Sequence, residues 1–220
     1  MQTYISPIGF NTTSVTRALI NHGIEGDDTV VLVRPTEKTD DNRGAEAVAD
    51  VKQLLQEIEP EAEFVITRVT TDSFEQTVQE CCGIFSKIPH RNETIVSLGG
   101  GARDILLPLT ISSIVFAKQI DRTLFFSDLD NEIQEWSLPR LTAQVPERTL
   151  ESFEVIASTE GWISLSSIAD RTGQSKSTVI RHVNDLEDAG VLESDTSDKT
   201  KRVRIAFSGE LFQLAQSLDA

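Results

Sequence analysis

The sequence predicts an α/β chain in two parts. A parallel sheet with helices on both faces is expected over residues 1–140, and a winged helix-turn-helix over 148–220, joined by a linker at 141–147. Three observations predict this. Strand and helix signals alternate through the first 140 residues, the pattern of repeated β-α units. Runs such as Thr29-Val30-Val31-Leu32-Val33 are apolar and β-branched throughout, which suits strands buried on both faces. Near the C-terminus two short helical patterns flank Gly173, and a charged turn and a strand follow.

In order, Tyr4 and Ile5 begin the first strand, and residues 12–22 form a helix ended by Asn21-His22-Gly23. The run from Thr29 to Val33 is the second strand. Residues 44–59 are amphipathic, with Ala45, Val48, Val51, Leu54, Leu55 and Ile58 on one stripe, and stop before Pro60. Residues 63–68 make the third strand. Residues 72–86 make a helix capped by Asp72, with Phe74, Val78, Cys81, Cys82 and Phe85 on its core stripe. Thr94-Ile95-Val96-Ser97-Leu98 is a strand, followed by Gly99-Gly100-Gly101 and an apolar helix over 103–119. Residues 122–127 and 132–138 read as two further strands. Pro139 and Pro146 bracket a polar connector, and a helix over 148–158 opens the second domain.

There, residues 165–174 form a short helix closed by glycine, and 175–186 read as a recognition helix with Ser175 as its N-cap. Ile168, Val179, Ile180, Val183 and Leu186 are expected to form one small core. That arrangement leaves Ser175, Lys176, Ser177, Thr178, Arg181 and His182 on the outer face, able to reach base edges and phosphates in a major groove. The wing strand over 202–206 and its turn carry Lys199, Lys201, Arg202 and Arg204, which suit phosphate contact. Double-stranded DNA is the expected partner.

Charge needs a separate account. The chain carries a formal net charge of −15. Residues 1–150 hold 13 basic against 23 acidic side chains, and 151–220 hold 7 against 12. Yet 175–184 holds two bases, Lys176 and Arg181, and no acid, so charge is arranged locally against the global field. Acid excess with few lysines suggests a salt-loving cytoplasm. High salt weakens phosphate contacts, so binding would lean on direct readout and dimerisation. The N-terminus lacks a basic region and apolar signal core, and no run of about 18 apolar residues occurs, so a cytoplasmic protein is expected with no membrane partner.

Two loops follow strand ends, where open parallel sheets bind ligands. The first holds Gly9, Phe10, Asn11, Thr12 and Thr13; the second holds Gly99, Gly100, Gly101, Ala102 and Arg103. Glycines allow close backbone approach and leave amides bare at a helix start, and Arg103 adds a fork of donors. The loops equally read as a tight turn with ordinary N-caps. No G-x-G-x-x-G follows the first strand and no P-loop occurs. No Ser-His-Asp or Cys-His set is evident, and Asp128 and Asp130 read as turn residues. The adjacent Cys81 and Cys82 cannot form an ordinary disulfide. His22, His90 and His182 form no ligand cluster, so neither metal nor cofactor is expected.

The architecture, combined with Ser97-Leu98-Gly99-Gly100-Gly101-Ala102-Arg103, resembles the CRISPR-associated Rossmann-fold (CARF) transcriptional regulators of archaea, over nearly the whole chain. The resemblance implies a Rossmann-like sensor domain and a homodimer that binds a cyclic oligoadenylate, commonly cyclic tetra-adenylate, across its two-fold axis. Gly9, Phe10, Asn11 and Thr12 would form one ligand loop, and Gly100, Gly101, Ala102 and Arg103 the other. A haloarchaeal regulator of CRISPR-related promoters, not an enzyme, is the expectation. Ligand binding would shift the sensor domains, and the connector would pass that shift to the paired winged helices. A ring nuclease that cleaves the same ligand is the alternative, as is a regulator with another effector or none.

Overall fold

The computed structural model describes residues 1–36, 42–127, 129–197 and 200–218. The chain divides into two units, Met1–Leu138 and Pro139–Ala220.

The first unit runs β1 (Gln2–Pro7), α1 (Thr13–His22), β2 (Thr29–Pro35), α2 (Asn42–Ile58), β3 (Glu63–Val69), α3 (Phe74–Phe85), β4 (Glu93–Ser97), α4 (Arg103–Val115), β5 (Arg122–Phe126) and β6 (Ile133–Trp136). Its sheet has the order β3-β2-β1-β4-β5-β6. The first five strands are parallel, as the apolar runs predict. β6 is antiparallel to β5, because the turn between them is too short for a crossover.

Alternation along each strand feeds two cores. Tyr4, Val30, Leu32 and Ile95 face α1 and α2, which contribute Val15, Leu19, Val51 and Leu55. Ile5, Val31, Val33 and Val96 face α3 and α4, which contribute Cys81, Phe85, Ile105 and Leu109. A β-sheet buried on both faces therefore needs apolar residues at every position, not at every second one.

Several local expectations are corrected. Ser73, not Asp72, caps α3: its hydroxyl accepts from the Gln76 amide at 3.2 Å. Phe74 at the helix start is exposed and Cys82 half-buried, so the core stripe reduces to Cys81, Ile84 and Phe85 with buried Thr77. On α2, Ala45, Leu54 and Ile58 lie outside the buried set. α4 ends at Val115, and a 3-10 turn over Ala117–Gln119 replaces its expected last turn.

The second unit holds α5 (Leu150–Ala157), β7 (Ile163–Ser164), α6 (Leu165–Thr172), α7 (Lys176–Ala189), β8 (Leu192–Asp195), β9 (Arg202–Ile205) and α8 (Phe207–Leu218). Its antiparallel sheet has the order β7-β9-β8. Phe153, Ile156, Ile168, Val179, Val183, Leu186 and Val203 make its core. α8, absent from the sequence expectation, closes one side, with Phe212 edge-on to Phe153 at 5.7 Å. Two glycines end helices in the left-handed region, Gly173 at φ 67° after α6 and Gly190 at φ 78° after α7.

Candidate ligand crevice and nucleic-acid interface

The sheet order reverses direction at β1 and β4, which lie side by side. Their carboxyl ends bring together two loops some 90 residues apart in sequence. The Cα of Gly101 would lie 3.3 Å from a Cβ placed at Gly9, so the loops touch backbone to backbone. Asn11 Oδ1, one residue before the N-cap of α1, accepts from the Thr13 amide at 2.8 Å, and the side chain of Thr12, the N-cap itself, makes no cap. Arg103, the first residue of α4, is exposed. Phe10 is 59% exposed, with the Arg43 guanidinium 4.3 Å from its ring centre.

Two depressions flank the meeting point, and Gly9, Phe10 and Gly101 line both. One, of about 410 Å³, is completed by Asn11, Ser14, Gly100, Arg103 and Phe125. The other, of about 390 Å³, is completed by Arg34, Thr71, Ala102 and Asp104. Of the expected loop residues, Gly9, Phe10, Asn11, Gly99, Gly100, Gly101, Ala102 and Arg103 line one or both of these depressions, and Thr12 and Thr13 line neither. Arg34, Thr71 and Asp104 belong to no motif in the sequence; the available signal was an arginine directly after the apolar run of β2.

The glycines have an internal reason as well as the expected one. A Cβ at Gly99 would collide with the Phe126 backbone, and one at Gly100 with Ser14 Oγ. At Gly101, φ is 98° and a Cβ would sit 2.8 Å from that of Pro7. The loop is thereby pressed onto the ends of β5, α1 and β1. The strands that carry the two loops bury the hydroxyls of Ser6 and Ser97 and the phenol of Tyr4. Burial pushes that phenol well above the ordinary tyrosine range, and the two hydroxyls pull against it.

Asp130 Oδ1 accepts from the Glu132 amide at 3.1 Å. Its carboxyl is held below the usual range by the Ser127 hydroxyl first and that amide second, which is turn chemistry. Asp128 lies outside the described residues. Cys81 is fully buried, and desolvation pushes its thiol up to about 12. Among the described residues no three His, Cys, Asp or Glu side chains converge as a metal site.

In the second unit, Ser175 Oγ caps α7 by accepting from the Thr178 amide at 3.2 Å. It also exchanges hydrogen bonds with the hydroxyls of Ser177 at 2.9 Å and Thr178 at 2.8 Å. Ser175, Lys176, Ser177 and Arg181 are exposed and Thr178 partly so. Lys176 and Arg181 make no ion pair among the described residues.

Two placements are corrected. His182 is 5% exposed, not on the outer face; its Nδ1 lies 3.0 Å from the buried Ser152 Oγ. Ser152 in turn donates to Gln174 at 3.2 Å. Ile180, expected in the core, is 43% exposed. The cause is helix phase: Val179, His182, Val183 and Leu186 form the inward stripe, and Ser152 makes the buried imidazole tolerable.

The wing cations stand closer to acids than expected. Lys201 Nζ meets Glu187 at 2.5 Å, and Arg202 meets Asp195 at 3.0 Å. Arg204 reaches Glu193 at 2.9 and 2.7 Å, and its guanidinium lies 4.7 Å from the Trp162 ring centre. The Asp195 carboxyl is held below the usual range, by Ser197 first and Arg202 after it. Lys199 lies outside the described residues. Trp162 was not singled out in the sequence.

Residues 2–136 match the Csa3 CRISPR-associated Rossmann-like domain, and residues 145–196 match the IclR helix-turn-helix domain. Among solved structures, Enterococcus italicus Csm6 bound to cyclic hexa-2'-fluoro-hexa-dAMP is similar at 13% identity and a TM-score of 0.53, over 87% of this chain and 56% of that one. The homodimeric winged helix-turn-helix fragment Mb0332 from Mycobacterium bovis is similar at 19% identity and a TM-score of 0.31, over 55% of this chain and 88% of that one. No curated protein matches. No helix among the described residues is long and apolar enough to cross a membrane.

Proposed function

This chain belongs to the family of the Csa3 CRISPR-associated Rossmann-like domain, and on that premise we propose that it is a homodimeric transcriptional regulator whose first unit senses a cyclic oligoadenylate. The helix-turn-helix gives it DNA as a partner, and its combination with the CRISPR-associated domain makes it a regulator. Cyclic tetra-adenylate is the effector we propose.

One observation carries the effector reading. The β1 and β4 loops meet backbone to backbone at the switch point, with Arg103 exposed beside them and depressions on either side. Such a place offers the Arg103 guanidinium and the rings of Phe10 and Phe125, which suit phosphate and base together. The ligand in the similar Csm6 structure is a cyclic oligonucleotide. A ring with two-fold symmetry fits an isologous dimer. In favour of a dimer, Leu107, Ile111 and Val115 stand exposed at four-residue spacing on one side of α4.

The effector can alter DNA binding only through different affinities for two states of the dimer. Calorimetric titration of the purified protein with cyclic tetra-adenylate tests the reading. One ring per dimer is expected, with a change in operator affinity at saturation. A folded protein that takes up no ring would refute the effector and leave the DNA reading standing. The reading contains no catalytic step, so chromatography of the ring after incubation is expected to return it intact.

A further inference from the structure

The exposed residues of α7 are Lys176, Ser177, Ile180, Arg181 and Asn184, with Asp188 at its C-terminal end. Five of the six are polar or charged. Ile180 stands among them at 43% exposure, one turn from Lys176 on one side and from Asn184 on the other. It is not among the side chains packed on the core of this unit, to which α7 gives Val179, Val183, Leu186 and Ala189. Folding gains less from it there than from a fully buried isoleucine. An exposed isoleucine forgoes burial, and its β-branch makes it a weaker helix former than alanine or lysine.

One surface rewards a branched aliphatic group set among hydrogen-bond donors. In the major groove, an A·T pair presents the thymine C5-methyl beside an O4 acceptor. We infer that Ile180 is a base-reading residue that packs on the C5-methyl of a thymine in double-stranded DNA, between contacts made by Lys176 and Arg181. The inference rests on the DNA-binding reading of α7. It adds a term that phosphate contacts lack: apolar packing releases no counterions, so the preference for thymine persists as salt rises.

The test uses the full-length protein. Its sites are selected from random double-stranded DNA, and each thymine is then replaced by uracil, which removes only the methyl group. At one position per half-site, uracil weakens binding about fourfold, the equivalent of one methyl group withdrawn from water. The Ile180→Ala variant binds thymine and uracil sites alike, and Ile180→Val keeps part of the preference. The thymine-to-uracil ratio stays level across a salt series while overall affinity falls. Uracil tolerated at every position, or an equal penalty in Ile180→Ala, overturns the inference and leaves DNA binding intact. Failure of the full-length protein to select any DNA overturns the DNA-binding reading, and this inference with it.

Discussion

Removing an acid from the wing should strengthen DNA binding, and Glu193 is the residue to change. Glu193 on β8 is the cross-strand partner of Arg204 on β9. Both side chains are 48% exposed, so their pair contributes under about 1 kcal/mol to folding, and Glu193→Gln should leave stability nearly unchanged. On DNA the situation differs. A phosphate gripped by the Arg204 guanidinium would lie roughly 6–7 Å from the Glu193 carboxylate, two charge-assisted contacts away. At that separation in water the repulsion is about 0.6 kcal/mol per protomer. Two copies in a symmetric complex give on the order of tenfold in affinity at low salt, falling to roughly threefold at about 0.15 M, where the Debye length is near 8 Å. Fluorescence anisotropy of a labelled operator across a salt series reads both values. Glu46→Gln, on the exposed face of α2 in the other unit, removes the same charge and is the control. No gain from Glu193→Gln would refute the contact of Arg204 with phosphate. An equal gain from Glu46→Gln would assign the effect to net charge instead of the wing.

Three further outcomes are expected. Gly100→Ala drives a Cβ into Ser14 Oγ and should cost about 1–3 kcal/mol, with partial recovery in the Ser14→Gly double variant. Denaturation of a Trp162→Phe background reads it, since Trp136, stacked on Phe125 at 4.0 Å, then reports the first unit alone. Arg103→Ala should weaken cyclic tetra-adenylate binding by calorimetry while operator affinity without the ring stays at its original value. Folding raises the Cys81 thiol from 9.0 to about 12, so stability of the first unit is intact below pH 9 and declines as pH climbs toward 12. Denaturant midpoints at pH 8 and pH 10 check this: the loss should be smaller in Cys81→Ala, and an equal loss in both proteins would remove Cys81 as a cause.

Much of the fold is legible because its causes are local. The apolar run from Thr29 to Val33 marks a strand covered on both sides, and the structure places Val30 and Leu32 against one pair of helices and Val31 and Val33 against the other. Ser175 and Gly173 act on their own helix ends, so their roles need no knowledge of distant residues. Positions that went astray were decided at long range. The inward turn of His182 depends on Ser152, which lies 30 residues away. A periodic pattern that counts histidine as polar therefore puts Ile180 inside in its place. The wing cations looked available to phosphate until β8 and β9 paired in a register that sets Arg204 opposite Glu193.

The sequence by itself determined the two-part architecture, the caps and breaks of the recognition helix, and the two loops that end β1 and β4. Each follows from hydrophobic period, backbone freedom or capping, which act over a few residues. Only tertiary structure decided that those loops touch, that three glycines are pressed onto Phe126, Ser14 and Pro7, that Arg34 and Asp104 line the same crevice, and which face α7 turns outward. These depend on sheet order, strand register and helix phase. Each is set when side chains far apart in the chain compete for the same buried volume, and no short stretch of sequence contains both competitors.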